Sequence, residues 1–190
     1  MEPKEKEEKF VNGVNVDALF STIDAIKETP VIAEFKFRAK GKWINGGNSH
    51  VSITDFYGVQ KDHPHEKPFE LEADEPPLLL GWDKGPNPVE YVLTGLSGCL
   101  TASLIYHSAA RGIEIKGVET RLEGDLNLRG FLGLSDDIKV GYENIRVYFK
   151  LDADVSEDEK KDLIRMAQKY SPVFNTIANP TPVIVELDKS

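Results

Sequence analysis

One long apolar segment, residues 88–111, constrains the fold of this chain more than any other feature. Asn87 is a good N-cap, Pro88 suits the first helical position and Glu90 completes a capping-box pattern, so a helix is predicted to begin here. Gly112 is a typical helix terminator. The charged residues of the segment lie only at its two ends, and a helix without a polar face belongs in a hydrophobic core. The rest of the chain is therefore expected to pack around this helix.

Small residues form a stripe along this helix, which allows another backbone to approach it closely. They are Gly95, Gly98, Ala102 and Ala109. Two interpretations remain open at this point. The stripe packs either against a sheet or helix of the same subunit, or against the same helix of a second copy related by a two-fold axis.

The composition is typical of a soluble globular protein and excludes several classes. The chain has 190 residues, enough for one domain with a substantial core. Its single cysteine excludes a disulfide framework and a cysteine-based zinc site within one chain. The formal net charge of −9 argues against nucleic acid or an anionic membrane surface as a partner. No apolar run approaches the roughly 20 residues that span a bilayer, and the charged N-terminus is unlike a signal peptide, so a cytoplasmic location is expected.

The remaining patterns predict strands and helices that are segregated along the chain. Residues 15–27 form an amphipathic helix capped by Asn15, whereas residues 58–68 have the composition of a loop. N-cap signals at Ser156 and Ser171 predict two further helices. Alternation with a period of two predicts strands at 31–42, 50–56, 69–73, 115–128, 142–154 and 183–187. This segregation indicates the α+β class with mainly antiparallel sheets.

Cys99 is the candidate nucleophile of the long helix. It lies about three turns from the helix N-terminus, where the dipole has little influence on a thiol. His107 lies eight residues further on, which places it about 12 Å along the axis and out of reach. A reactive thiol needs a lowered pKa and access to solvent, so any activator of Cys99 must come from elsewhere in the fold. A buried, inert cysteine is the alternative interpretation.

Other titratable clusters give weaker signals. The stretch His63-Pro64-His65-Glu66 contains residue types that bind metals, but no further ligand cluster accompanies it. We therefore predict a solvent-exposed loop there and no metal site. The acidic pairs at 136–137 and 158–159 are predicted as solvated residues of a loop and a helix start.

Two motifs resemble those of the OsmC/Ohr family. The first is Asn87-Pro88 followed by Cys99 in a helix rich in small residues, and the second is Ser171-Pro172-Val173 followed by Asn179-Pro180-Thr181-Pro182-Val183. The resemblance covers residues 31–187, and DLNLRGFLGL at 125–134 is similar to a longer-chain branch of the family. It divides the chain into a disordered tail at 1–14, an N-terminal helical addition at 15–30 and an OsmC-like domain at 31–190.

The resemblance implies an intertwined homodimer in which mainly antiparallel sheets wrap around the long central helices, with the sites at the subunit interface. It also implies reduction of organic hydroperoxides in oxidative stress defence, with no cofactor. In the family, an arginine and a glutamate activate a peroxidatic thiolate, which attacks the O–O bond and becomes a sulfenic acid. A second cysteine then forms a disulfide, and an external dithiol reduces it.

Carried over residue by residue, the resemblance is partial. Cys99 is at the peroxidatic position, but Ser171 is at the position of the second cysteine and cannot form a disulfide. Val89 is at the position of the activating glutamate. The segment before the Asn-Pro pair, one source of the activating arginine, contains no arginine. The first hairpin, the other source, offers Arg38, Lys40 and Lys42.

Three hypotheses follow from these residues. The first is a one-cysteine peroxidase in which Cys99 is oxidised by an organic hydroperoxide and reduced by an external thiol. The second is a non-catalytic protein that binds an apolar small molecule in a dimer-interface pocket. The third assigns Cys99 a structural role. The pocket of the second hypothesis would be lined by Leu78, Leu79, Leu80, Trp82 and Val89.

Overall fold

The structure, a computed structural model, describes residues 8–189 and has the α+β architecture expected, with antiparallel sheets and one long helix. The chain divides into two compact units. Among the described residues, one contains residues 8–9 and Asn15–Val92, and the other contains Phe10–Val14 and the part of Leu93–Ser190 that the structure describes. The sequence boundaries between tail, helical addition and OsmC-like domain remain predictions, because they rest on family resemblance rather than on compactness.

A small hairpin lies within the region predicted as a tail. Its strands are β1 (Phe10–Val11) and β2 (Val14–Asn15). The Asn12 side chain donates a hydrogen bond to the carbonyl of Ile113 at 2.9 Å and accepts one from the N–H of Ile115 at 2.8 Å. In residues 10–14 the structure therefore differs from the predicted tail, whereas residues 1–7 lie outside the described residues.

The Asn15–Val92 unit is built on α1 (Val16–Glu28) and a four-stranded antiparallel sheet. Asn15 caps α1 as predicted, since its side chain accepts a hydrogen bond from the N–H of Ala18. In the sheet, β5 pairs with β6 on one side and with β3 and β4 on the other. The four strands are β3 (Lys36–Phe37), β4 (Lys40–Asn45), β5 (Asn48–Gly58) and β6 (Lys61–Ala73).

The prediction of a loop at 58–68 is wrong, because β6 occupies most of these residues. Val59 and Gln60 both have positive φ and turn the chain directly from β5 into β6. The two histidines of the candidate metal stretch therefore lie on a strand, where both rings contact Phe56, at centroid distances of 5.2 Å for His63 and 5.5 Å for His65. Among the described residues there is no group of three or more side chains able to hold a metal ion.

The long helix, α2 (Pro88–Ala110), is followed by a β-ribbon and three shorter helices. The ribbon pairs β7 (Ile115–Leu126) with β8 (Tyr142–Ala153). Its exposed face carries ion pairs, among them Arg146 with Asp125 and Lys150 with Glu119. The helices are α3 (Leu128–Phe131), α4 (Glu157–Tyr170) and α5 (Pro172–Ala178). The predicted caps Ser156 and Ser171 begin α4 and α5.

The core of the Leu93–Ser190 unit lies between α2 and α4. The larger buried side chains of these two helices are Leu96, Leu100, Leu104, Leu163 and Met166. One side of α2 supplies three of them, but Val92 and Tyr106 are exposed, so the single chain buries only part of this helix. By length and composition alone, α2 is long and apolar enough to span a bilayer, which corrects the expectation that no segment of the chain is. The core helices of soluble proteins meet the same criterion.

The strand predicted at 183–187 is absent. The described residues after α5 pair with no strand, and four aliphatic side chains of this segment are at least 80% exposed: Val183, Ile184, Val185 and Leu187. The alternating sequence is suited to a strand, but a strand needs a neighbour whose backbone it can pair with.

Candidate functional site

Cys99 lies in the middle of α2 and is half-buried. The leucines beside it, Leu96 and Leu100, are buried and fix the orientation of this turn. On the small-residue stripe, no described atom beyond the helix's own adjacent backbone and the two chain neighbours lies within 4 Å of where a Cβ at Gly95 or Gly98 would stand. The stripe is thus left uncovered by its own unit near Cys99.

Two hydroxyl groups on either side of Cys99 hold α2 to its neighbours in this unit. The Ser97 hydroxyl lies 2.7 Å from the hydroxyl of Thr120 on β7. The Ser103 hydroxyl donates to the carbonyl of Tyr170, the last residue of α4, at 3.3 Å. Cys99 therefore lies between two fixed points of the helix.

Ser171, the residue at the second-cysteine position, is fully buried. Its hydroxyl accepts a hydrogen bond from the N–H of Phe174 at 3.2 Å and so caps α5. Ser171 directly follows Tyr170. The carbonyl of Tyr170 accepts the hydrogen bond from Ser103, which lies one helical turn after Cys99 on α2. The structure thus brings the two motif positions, 72 residues apart in sequence, to neighbouring parts of one unit. At Ser171 the side chain serves as a cap, a role that needs an oxygen acceptor.

The basic residues of the first hairpin differ in how they are paired. Arg38 forms ion pairs with Asp55 and, at 2.8 Å, with Asp62. These hydrogen bonds raise the pKa of Arg38, and the bond from Arg38 lowers the pKa of Asp55. The charge of Arg38 is thus compensated within its own sheet, whereas Lys40 and Lys42 are exposed on β4. Sequence reasoning offered all three as activators without seeing this difference.

The start of α2 is fixed by Asn87 and Glu90, as predicted. The N–H of Asn87 donates to the Glu90 carboxylate at 2.9 Å, and the Asn87 side chain accepts from the N–H of Val89 at 2.9 Å. The Asn87 amide also donates to the carboxylate of Glu75. Glu90 therefore acts in the cap, as the capping-box pattern predicts.

The segment before α2, residues 74–87, is organised around one carboxylate that sequence reasoning did not single out. Asp74 is fully buried and accepts hydrogen bonds from the N–H groups of Glu75 at 2.8 Å, Trp82 at 3.1 Å and Lys84 at 3.3 Å. Burial alone would raise the pKa of Asp74, but these three donors outweigh it and the pKa is lowered. Gly81 packs so closely on the carbonyl of Glu75 that a Cβ would collide with it.

This fixed loop displays apolar side chains. Leu78 and Leu80 are each 91% exposed, and Trp82 is half-exposed. Leu80 has φ of +68°, a left-handed conformation that costs a leucine about 1–3 kcal/mol. The loop thus holds a strained, solvent-exposed leucine without any packing gain within its own unit.

Comparisons with known proteins bear on both the fold and the family. The OsmC-like protein family model matches residues 81–186, more than half of the chain. An OsmC-like protein from Mycoplasma pneumoniae is similar in structure, with a TM-score of 0.57 and 20% identity over 75% of this chain and 87% of that one. A search of curated proteins gave no match.

Two further solved structures have a similar fold. An OsmC-like protein of unknown function from Vibrio cholerae has a TM-score of 0.54 and 11% identity over 74% of this chain and 92% of that one. An organic hydroperoxide resistance protein, OsmC, from Legionella pneumophila has a TM-score of 0.51 and 19% identity over 75% and 88%. Together with the match over 81–186, which includes Cys99 and Ser171, these results show that the chain belongs to the OsmC-like protein family.

Proposed function

We propose that this protein is a one-cysteine, thiol-dependent peroxidase that reduces organic hydroperoxides in the cytoplasm, with Cys99 as the catalytic residue. The observation that carries the proposal is the hydrogen bond from Ser103 to Tyr170, which places the turn after Cys99 beside the segment bearing Ser171. Membership of a family that includes a protein named for organic hydroperoxide resistance supports it.

The chemistry follows from having one cysteine. The Cys99 thiolate attacks the terminal oxygen of the hydroperoxide, and the O–O bond breaks. The sulfur keeps the OH group as a sulfenic acid, and the alkoxide takes up a proton and leaves as an alcohol. Because Ser171 has no thiol, a first external thiol condenses with the sulfenic acid to give a mixed disulfide and water. A second external thiol then attacks the mixed disulfide. This step releases Cys99 as a thiol and joins the two external thiols as a disulfide. Such reductants are abundant in a reducing compartment.

The proposal includes a homodimer. In the single chain the stripe at Gly95 and Gly98 is uncovered by its own unit, and the aliphatic side chains at 183–187 are exposed beside unpaired backbone. A second copy would supply both a surface for the helix and a strand neighbour for this segment. Light scattering after size exclusion is expected to give twice the chain mass of 21.2 kDa. A mass equal to one chain would contradict the dimer.

A second candidate function is supported by the loop 74–87. Leu78, Leu80 and Trp82 are exposed on a loop that Asp74 holds in place. Exposed apolar side chains on a preorganised loop are suited to binding an apolar small molecule. A ligand that copurifies with the protein, detected by native mass spectrometry, would favour this function over catalysis.

Thiol-dependent consumption of cumene hydroperoxide tests the peroxidase directly. The purified protein with dithiothreitol is expected to turn over the peroxide, and Cys99→Ser is expected to reduce the rate to that of dithiothreitol alone. Ser108→Ala is the matched control, because Ser108 lies on the same helix and is buried, and its hydroxyl has no hydrogen-bond partner among the described residues. Equal rates in the wild type and Cys99→Ser would contradict the proposal.

A further inference from the structure

A surface cavity of about 360 Å³ in the Leu93–Ser190 unit has a chemistry that the proposed peroxidase does not use. It lies where α4 ends and where the chain leaves α2. Three basic side chains and one carboxylate line it, in a protein whose formal net charge is −9. The lining of the cavity is therefore positively charged, although the protein as a whole is negatively charged. The lining residues are Arg111, Asp162, Arg165, Met166, Lys169 and Tyr170.

Two of the three cations have no carboxylate partner. Arg165 pairs with Asp162, three residues earlier on α4. In the described part of the chain, Arg111 and Lys169 form no ion pair, and Lys169 lies over the ring of Tyr170 at 5.1 Å. Arg38 and Arg146, by contrast, each pair with two carboxylates. The cavity thus holds two uncompensated positive charges.

These charges are not required to satisfy the helix ends. Basic residues near a helix C-terminus often interact with its last carbonyl groups. Here three carbonyls in the last turns already have donors within the unit: that of Tyr170 accepts from Ser103, that of Lys169 from Asn175 and that of Ser108 from Ile113. The side chains of Arg111 and Lys169 are therefore available to a ligand.

His107 lies beside these cations. Its ring stacks on Tyr170 at a centroid distance of 4.6 Å. Burial and the charge of Arg111 both lower the pKa of His107. The imidazole and phenol rings thus form an aromatic wall beside the cations.

We propose that this cavity binds a small molecule through a phosphate group held by Arg111, Arg165 and Lys169. A phosphate monoester carries close to two negative charges at neutral pH, which matches the two uncompensated cations. Guanidinium groups donate two parallel hydrogen bonds to phosphate oxygens, and a lysine adds a point charge. The volume lies within the range of small-molecule sites.

The test is a titration of the full-length protein followed by ¹H–¹⁵N NMR spectra at constant ionic strength. Inorganic phosphate is compared with chloride, and phenyl phosphate is the second probe. Saturable shifts of the amides of Arg111 and Lys169 with phosphate, but not with chloride, are expected. Tighter binding of phenyl phosphate would identify an ester as the ligand, and equal binding would identify free phosphate. Shifts that do not saturate with either phosphate probe would overturn the proposal.

Matched variants locate the site. Arg111→Gln and Lys169→Gln are each expected to raise the Kd for phosphate about tenfold, as loss of one charge-assisted contact predicts. Lys161→Gln removes the same charge from α4, but Lys161 pairs with Asp158 at 3.0 Å and does not line the cavity. It is expected to leave the Kd unchanged. Equal effects of Arg111→Gln, Lys169→Gln and Lys161→Gln would show nonspecific charge attraction and contradict the site.

Discussion

The loop 74–87 and the C-terminal segment 179–189 have similar chemistry and different structures. Both contain several prolines, and both expose large aliphatic side chains: Leu80 is 91% exposed and Val185 is 90% exposed. The loop is held by three hydrogen bonds to the buried carboxylate of Asp74. The segment, in contrast, has hydrogen bonds back to α5 from Asn179 and Thr181, and beyond them pairs with no described strand.

The comparison separates two origins of exposed apolar surface. In the loop, hydrogen bonds among its own backbone groups and to the Asp74 carboxylate fix the chain, so the leucines are displayed on a preorganised structure. At 183–187, the alternating aliphatic side chains are exposed and the backbone pairs with no described strand. The first surface is suited to a ligand, and the second is suited to strand pairing with another copy. Substitutions at Asp74 and Val185 test this distinction, and one at Gly95 tests the uncovered stripe of α2.

Asp74→Asn is expected to have the largest effect. An amide oxygen cannot accept all three hydrogen bonds, and its NH₂ group would face the N–H donors, so the Tm should fall by about 10 °C. Differential scanning calorimetry measures the change. Asp83→Asn is the control, because the exposed Asp83 side chain lies in the same loop. Equal Tm values for Asp74→Asn and the wild type would mean that the loop is not held by this carboxylate.

The same interaction predicts a pH dependence. Because the pKa of Asp74 is lower in the folded protein than in the unfolded chain, its contribution to stability is complete at neutral pH. It is lost as the pH falls below about 4 and through the lowered value. The stability difference between the wild type and Asp74→Asn, followed by urea unfolding, should therefore shrink in acid. A difference that grows in acid would contradict the assignment.

Val185→Asp is expected to act on assembly rather than on the folding of the single chain. Val185 is almost fully exposed, so the substitution breaks no contact within its own unit. Burying a charge in an interface should raise the dimer dissociation constant by at least about tenfold. Analytical ultracentrifugation measures this, with Lys189→Asp near the end of the same segment as the control. An unchanged constant would show that the segment remains outside the interface.

Gly95→Ala has the smallest expected effect, but its sign is informative. On an uncovered helix surface the alanine would stabilise the protein by about 1 kcal/mol. If a second copy packs on the stripe, the added Cβ destabilises the dimer instead, which is the result we expect. Urea unfolding at two protein concentrations distinguishes the outcomes, since only the dimer effect depends on concentration.

The sequence predicted features that depend on local chemistry. The caps of α2, α4 and α5 were correct because Asn87, Ser156 and Ser171 act on N–H groups within three residues. The start of β6 was missed because Val59-Gln60 lacks the glycine or asparagine that normally marks a tight hairpin turn. The strand at 183–187 has a suitable pattern, but the pattern does not specify which strand it pairs with.

The candidate site shows the same limit. The resemblance identified Cys99 and Ser171, and the structure added that Ser171 is a buried cap next to the segment bound by Ser103. Asp74 could not be recognised, because two of its three donors come from residues eight and ten positions later. An aspartate at the end of a strand is otherwise typical of a solvated turn. The compensation of Arg38 likewise depends on strand pairing that spacing does not reveal.

The most direct test of the central claim is a single-turnover reaction without reductant. The protein is mixed with one equivalent of cumene hydroperoxide, the alcohol is quantified and the intact mass is measured with a sulfenic acid trap. The account predicts one alcohol and one sulfenic acid per chain. With the trap present, the mass increases by one trap adduct at Cys99; without it, two equivalents of an external thiol return Cys99 to the thiol. An unmodified thiol and unconsumed peroxide would contradict the claim that Cys99 is a peroxidatic residue.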